Sequence, residues 1–342
     1  MTQFVDWELA VATARTLGIS GPTMGLPDAK DEVRRLRETA DRATGLVAEF
    51  TGMAPSTAPV RVVDRAAWAA ANVEGMRTVL DPLAHKVSGE PSLLVKAVGS
   101  RLAGTQIGAV LGYLSGKVLG QFEVFGDETG QLLLVAPNIV ATQRQLDADL
   151  DGFRLWICLH EATHATQFGS VDWLRGHFLS EIDAFAATDS SNAQDLVERV
   201  RHAVTILTDS LRDNDGDSSV VDLVTSPEQR EAMERLTAMM TLLEGHADYV
   251  MDSVGEDVIP EVAKLRAKLD RRRLNAGPIQ RLIRRLIGMD AKLKQYVQGR
   301  AFVAAVVTEI GIERFNGVWE SPQTLPTMDE IVEPEAWIRR VA

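Results

Sequence analysis

The chain has 342 residues, of which 45% are apolar and 25% are charged, and this composition excludes a predominantly disordered protein. Its formal net charge of −12 argues against a general binder of nucleic acid or of acidic membranes. The single cysteine, Cys158, excludes an intramolecular disulfide, and the N-terminus lacks the basic start and apolar run of a signal peptide. We therefore expect a cytoplasmic protein.

The first hundred residues carry a helical pattern. Charged residues are dense from about 29 to 50, and apolar side chains recur there on one stripe, which predicts an amphipathic helix. The proline-containing stretch 51–59 breaks this helix, and a short β-like run follows at Val60–Val63. Asp64 then has the chemistry of a helix N-cap. We predict a helical N-terminal portion over residues 1–100, with a soft boundary.

An apolar segment between Arg101 and Gly120 has glycine at every fourth position. On a helix, this spacing leaves a groove in which another backbone can approach closely. Arg101, Gln106 and Lys117 interrupt the apolar run, and the run is barely long enough to cross a bilayer. We therefore favour a buried helix packed against a neighbour over a membrane helix, and we expect no membrane association.

Two strand candidates follow, Gln121–Phe125 and Gln131–Val135, joined by a hairpin-like connection. A long helical pattern begins near Leu146. Within it, Asp213–Asp217 resembles a calcium loop only superficially, because its glycine is misplaced and no glutamate closes it, so we predict a solvated loop. Residues 101–342 are predicted to form a metal-site domain with a small antiparallel sheet and extra helices. The fold class is mainly α (α+β), and one compact unit over the whole chain is the alternative to two portions.

The chemistry of the chain is concentrated in a His-Glu-x-x-His motif at His160, Glu161 and His164. Two histidines four residues apart on a helix lie about 40° apart around its axis, so both imidazoles can reach one Zn²⁺ from the same face. Glu161 falls beside the metal, where it accepts a proton from water rather than ligating. The motif also occurs by chance on surface helices, so the interpretation depends on finding a third ligand.

A catalytic zinc site needs a third protein ligand and keeps a fourth position open. The metzincin solution is excluded, because Gln167 and Ser170 stand where that motif requires glycine and histidine. The preferred third ligand is Glu244, which lies inside the apolar stripe of a predicted helix. An acidic side chain in such a stripe is costly unless it is paired or bound to metal.

Three rivals to Glu244 stay open. Glu181 and Asp183 follow His164 by 17 and 19 residues, a distance used by compact gluzincins. His246 has ligand chemistry, but two positions along a helix it points roughly 160° away from Glu244. Contact with substrate, support of an oxyanion, or a plain surface position are the other interpretations of His246.

Two more residues of the same helix are candidates for the site. Asp248 lies one turn after Glu244, so it can accept a hydrogen bond from a ligating histidine and fix its tautomer. Tyr249 could donate to a tetrahedral intermediate, although sequence does not orient it.

These motifs resemble those of the gluzincin clan of metallopeptidases. The segment Glu244-Gly-His-Ala-Asp-Tyr249 is similar to the Glu-Gly-Phe-Ala-x-Tyr block that supplies the third ligand in clan aminopeptidases. The 80-residue interval from His164 to Glu244 is far longer than in those families. This long interval and the tail 315–326 together resemble a bacterial zincin-like family. Its members are labelled zinc-dependent metalloproteases or hydrolases, or proteins associated with deazaflavin coenzyme biosynthesis.

This resemblance covers nearly the whole chain from about residue 30 and implies a mostly helical zincin-like fold. It leaves the substrate undefined. In zincins an edge strand before the active helix holds the substrate backbone, and the resemblance gives this role to Leu132–Ala136.

The segment from Lys264 to Arg300 is strongly basic and includes Arg281, Arg284 and Arg285. A nucleic-acid patch would need aromatic residues for stacking, and Tyr296 is almost alone there. We therefore expect a solvated helical face that neutralises an acidic body, and no nucleic-acid partner.

The sequence thus favours hydrolysis of a peptide or amide bond. Zn²⁺ bound by His160, His164 and Glu244 activates water, and Glu161 acts as the general base on a peptide or protein substrate. The first alternative is a non-catalytic binding or scaffold protein that keeps a structural or vestigial metal site. A regulatory module that meets an acidic partner through its basic helices is the third interpretation.

Overall fold

The computed structural model describes residues 5–18, 20–86, 93–127, 129–186, 227–260, 262–274 and 289–342. The helices are α1 Trp7–Leu17, α2 Leu26–Thr51, α3 Arg65–Lys86, α4 Leu93–Leu114, α5 Ala136–Leu146, α6 Leu150–Ser170, α7 Asp172–Ala186, α8 Pro227–Val258, α9 Val262–Leu274, α10 Met289–Ile310, α11 Ile312–Phe315, α12 Met328–Val332 and α13 Pro334–Val341. The strands are β1 Val60–Val63, β2 Gly120–Glu123 and β3 Gln131–Val135. The predicted mainly helical class with a small sheet is confirmed. The predicted loop at Asp213–Asp217 and the arginines 281, 284 and 285 lie outside the described residues.

The three strands form one sheet in the order β1-β3-β2. β2 pairs antiparallel with β3 as the hairpin pattern predicted, but β1 pairs parallel with β3, with Val60 opposite Leu132. The sheet is therefore mixed, and the predicted antiparallel pairing is correct for β2 with β3 and wrong for β1. Because β3 lies in the middle, it also cannot be the edge strand expected over Leu132–Ala136. Its run of four apolar residues, all buried, is typical of a central strand.

The chain turns directly from β3 into helix α5, which begins at Ala136. The helical pattern expected to begin near Leu146 thus begins earlier, because α5 already ends at Leu146 and α6 follows from Leu150. Pro137 stands in the first turn of α5, where its missing N–H costs nothing. Asn138 donates hydrogen bonds to the carbonyls of Ser115 and Val118, which ties α5 to the segment after α4. The second helix, α6, is capped by Asp149, whose Oδ2 accepts from the Gly152 N–H at 2.6 Å.

The glycine-rich helix α4 packs on α1, as its spacing predicted. A Cβ at Gly108 would lie 2.7 Å from the Cβ of Thr13, and one at Gly104 would lie 3.1 Å from the carbonyl carbon of Asp6. Only glycine allows two backbones to approach so closely. Among the described residues, no helix is long and apolar enough to cross a membrane.

Helix α6 lies in the main core between α2 and α8. Arg154 on α6 and Glu32 on α2 form a buried two-pronged ion pair, with Nε and Oε1 3.0 Å apart. The domain boundary predicted near residue 100 stays a prediction. Because β1 and α2 precede it and yet pair with β3 and pack on α6, these contacts favour the alternative of one compact unit.

Candidate metal centre

Two neighbouring helices bring three predicted ligands together. Helix α6 presents His160 and His164, and helix α8 presents Glu244 from the facing side. The two histidine Nε2 atoms are 3.2 Å apart. Oε2 of Glu244 lies 3.4 Å from Nε2 of His160 and 3.6 Å from Nε2 of His164. The side chains of His160, His164 and Glu244 are 20%, 13% and 23% exposed, respectively, so the cluster is only partly open to solvent.

These separations fit a tetrahedral metal ion. Bonds of about 2.0–2.2 Å from one ion place neighbouring tetrahedral ligand atoms about 3.3–3.6 Å apart. The three measured separations of 3.2, 3.4 and 3.6 Å fall in or beside that range. Two imidazoles and one carboxylate leave a fourth coordination position without a protein ligand. The cluster can therefore hold a divalent metal ion.

The rivals for the third ligand lie elsewhere. Glu181 Oε2 accepts a hydrogen bond from Arg235 Nε at 2.9 Å, and its other oxygen is 3.9 Å from His177 Nε2. Asp183 is exposed on the same helix. Neither acidic residue belongs to the group formed with His160 and His164. The geometry therefore favours Glu244.

The cluster is electrostatically prepared for positive charge. Burial lowers the pKa of His160, but hydrogen bonds to Asp248 and Glu244 outweigh it and raise that pKa to about 10. Burial also opposes the charged form of His164, yet the Glu244 carboxylate raises its pKa. The pKa of Glu244 is lowered despite burial, because both histidines favour its anion. In the metal-free protein the carboxylates of Asp248 and Glu244 thus favour protonated imidazoles. This positive charge takes the place of a metal cation.

Asp248 lies behind His160, as the sequence predicted. Its Oδ1 is 3.5 Å from Nδ1 of His160, and its Oδ2 is 3.3 Å from Nη2 of Arg266. Arg266 also forms an ion pair with Asp252, whose Oδ2 lies 2.8 Å from Nε of Arg300. Both arginines belong to the basic segment that was expected to be a solvated face. The expectation missed that Arg266 contacts the carboxylate that lies behind His160.

Glu161 is 7% exposed, and desolvation raises the pKa of its carboxyl group. The edge strand β2 runs beside it. A Cβ at Gly120 would lie 2.6 Å from Cγ of Glu161 and 2.8 Å from Oε1. Any side chain at residue 120 would therefore displace the carboxylate. Gly120 was noticed in the sequence only as the last member of the glycine series, and its role depends on a contact between a strand and a helix that no local pattern reveals.

His246 does not face the cluster. Its ring is fully buried and stacks against Phe315 and Trp319, with ring centroids 5.4 Å apart in each pair. Its Nδ1 is 3.0 Å from Nε2 of Gln167. This buried position fits none of the three interpretations made from sequence, which were contact with substrate, support of an oxyanion and a surface position. The predicted direction of His246, away from Glu244 around the helix, is correct. Its ring packs against the C-terminal segment of the chain.

Tyr249 packs both against the main core around α6 and against the second hydrophobic cluster, which contains Phe315 and Trp319, and its ring lies 6.2 Å from that of Phe50. Five residues along a helix correspond to about 140° from Glu244. This direction argues against the predicted role of Tyr249 as an oxyanion donor.

Gln167 was considered in the sequence only as a departure from the metzincin motif. It is fully buried and hydrogen-bonds to His164, and its position three residues after that ligand is the signal that could have identified it.

The comparisons with known proteins agree with this site. The chain matches the family model described as zincin-like metallopeptidase over residues 5–338. It is also similar to a solved structure described as "a putative hydrolase with a novel fold from Chloroflexus aurantiacus", with 31% identity, a TM-score of 0.72 and 98% of each chain covered. The chain matches no curated protein at a significant level. Because the family match spans nearly the whole sequence and includes the His-Glu-x-x-His helix, the chain belongs to the zincin-like metallopeptidase family.

Proposed function

We propose that this protein is a zinc-dependent hydrolase of peptide or amide bonds. The observation that carries the proposal is the cluster of His160, His164 and Glu244, whose ligand atoms are spaced for one tetrahedral ion and leave a fourth position open. Two imidazoles and one carboxylate suit Zn²⁺, and the buried Glu161 next to the first ligand supplies a base.

Each residue of the proposed site then has a separate role. Zn²⁺, when bound, supplies a Lewis acid that lowers the pKa of water and polarises a carbonyl group. Glu161 accepts a proton on its carboxylate and returns it to the leaving amine. Burial raises the pKa of Glu161, which brings a carboxyl group closer to the range in which it can both accept and donate a proton at neutral pH. Asp248 orients His160 from behind.

The edge strand β2 is the proposed binding surface for an extended substrate. It lies at one edge of the sheet, antiparallel to β3, and its first residue, Gly120, touches Glu161. A peptide that adds to this edge through main-chain hydrogen bonds would pass beside the general base. This assignment replaces the one made from sequence for β3.

The test is the substitution Glu161→Gln, which removes the base without changing the size of the side chain. The purified proteins are loaded with zinc and incubated with a mixed peptide library, and the products are read by mass spectrometry. We expect wild type to produce fragments and the variant to lose about 100-fold or more in rate, with zinc content near one per chain in both. The control Glu38→Gln, at an exposed position on α2, should leave the rate unchanged.

Equal turnover by Glu161→Gln and wild type would contradict the mechanism. If zinc-loaded wild type cleaves no peptide, the hydrolase proposal fails for peptides, and the non-catalytic alternative gains support.

A further inference from the structure

A fully buried glutamine lies between the metal centre and the aromatic cluster of the C-terminal segment. Oε1 of Gln167 is 2.9 Å from Nδ1 of His164. Its Nε2 is 3.0 Å from the carbonyl oxygen of Leu243 and 3.0 Å from Nδ1 of His246. Gln167 is 0% exposed, and all three partners are protein groups. One amide group thus meets two imidazoles and one backbone carbonyl.

The backbone carbonyl of Leu243 fixes the direction of all three hydrogen bonds of Gln167. A carbonyl oxygen can only accept, so the atom of Gln167 that faces Leu243 must be the NH₂ nitrogen. The amide oxygen then faces His164, and since that oxygen can only accept, Nδ1 of His164 must carry a hydrogen. The second hydrogen of the NH₂ group points at Nδ1 of His246, which must accept it. Both tautomers follow from one carbonyl group.

We propose that Gln167 is a positioning residue that holds His164 as the Nδ1–H tautomer, so that its Nε2 lone pair faces the cluster centre. His246 is the second imidazole that contacts the Gln167 amide. It receives the other amide hydrogen, while the Leu243 carbonyl keeps the amide from flipping, because a flipped amide would place its oxygen against that carbonyl oxygen. The inference rests on the proposed metal site and adds to it the group that aims the second ligand.

The two histidine ligands are therefore held by different chemistry. Behind His160 stands the carboxylate of Asp248, at 3.5 Å and shared with Arg266. Behind His164 stands a neutral amide at 2.9 Å, sealed from water. A neutral acceptor fixes the orientation of the imidazole without adding a further negative charge to a site that already contains Glu244 and Glu161.

The C-terminal segment reaches the metal centre through this arrangement. The ring of His246 stacks on Phe315 at a centroid distance of 5.4 Å and tilts against Trp319 at the same distance. These contacts limit rotation of the ring and therefore fix where its Nδ1 accepts. The connection runs from the aromatic residues through His246 and Gln167 to His164.

The decisive variant is Gln167→Met, which keeps the volume of the side chain and removes all three hydrogen bonds. Zinc affinity is measured by competition with a chromophoric chelator. We expect a loss of about 10–100-fold. In the zinc-loaded protein with ¹⁵N-labelled histidine, the protected Nδ1–H resonance of His164 should disappear. The matched control is Gln229→Met, a buried glutamine on α8 that donates to the Phe185 carbonyl at 3.1 Å. It should lower stability without changing zinc affinity or that resonance.

A purely structural role makes the opposite prediction. Gln167→Met would then melt at a lower temperature and bind zinc as tightly as wild type, and this result would overturn the inference. A wild-type protein that binds no zinc overturns the proposed function along with it, so the two failures are distinguishable. Wild type alone also gives a test, because long-range ¹⁵N correlations report the tautomer of His246. The Nε2–H form is expected, and the Nδ1–H form would reverse the amide and refute the assignment.

Discussion

Helix α8, which carries Glu244, crosses α10 at a contact between two glycines. A Cβ added to Gly245 would lie 2.6 Å from the Arg300 nitrogen and 2.6 Å from Cα of Gly299. Ordinary contacts begin near 3.4 Å, so Gly245→Ala forces the two backbones apart by about 1 Å. Overpacking of this kind costs about 1–3 kcal/mol, and the better helix propensity of alanine returns only about 0.5–1 kcal/mol. We expect a net loss of about 1–2 kcal/mol.

The assay is denaturant unfolding followed by circular dichroism, with Gly45→Ala as the matched control. Gly45 also lies inside a helix, α2, but a Cβ there would meet nothing within 4 Å. The same substitution should therefore stabilise the protein by about 0.5–1 kcal/mol at residue 45 and destabilise it at residue 245. If Gly245→Ala is as stable as wild type, the close helix contact beside the third ligand does not exist and the reasoning fails.

Three further predictions concern the site and its supports. Gly120→Ala should push the carboxylate of Glu161 aside by about 1 Å and lower kcat about 100-fold, whereas a variant with unchanged kcat would remove β2 from the site. Glu32→Ala should lower the free energy of unfolding by about 3 kcal/mol, because the buried guanidinium of Arg154 loses both hydrogen bonds to Glu32 and keeps the exposed Asp151 as a partner. The exposed Glu38→Ala on the same helix should change it by less than about 1 kcal/mol in the same denaturant titration. Zinc binding should release protons at pH 7, because the pKa of His160 is about 10 without metal and its ligand atom must be deprotonated to bind. Affinity should thus fall as the pH falls, and calorimetry in buffers of different ionisation enthalpy that finds no released proton would contradict this account.

The parts of the site that follow local rules were predictable from sequence. His160 and His164 share a helical face because of their spacing alone. Glu244 could be identified because a carboxylate in an apolar stripe needs a partner, and Asp248 follows one turn later. The close packing of α4 against a neighbouring helix was likewise predictable from its glycine spacing. In each case the physical cause lies within a few residues of one helix.

The missed features all depend on contacts between distant segments. No local pattern indicates that β1 pairs parallel with β3 across about 70 residues, and this pairing is what moves the edge of the sheet to β2. Gln167 gains its role only because α8 presents a carbonyl and an imidazole to it. Arg266 resembled a surface residue in a basic segment, yet it contacts Asp248. Tertiary packing decided these positions, and sequence periodicity does not encode it.

The central claim is that His160, His164 and Glu244 bind one metal ion. The most direct test is the metal content of purified protein by elemental analysis, before and after exposure to zinc, for wild type, Glu244→Ala and Asp183→Ala. We expect about one zinc per chain in wild type and in Asp183→Ala, and a large loss in Glu244→Ala. Equal zinc in all three proteins, or no zinc in wild type after reconstitution, would contradict the account.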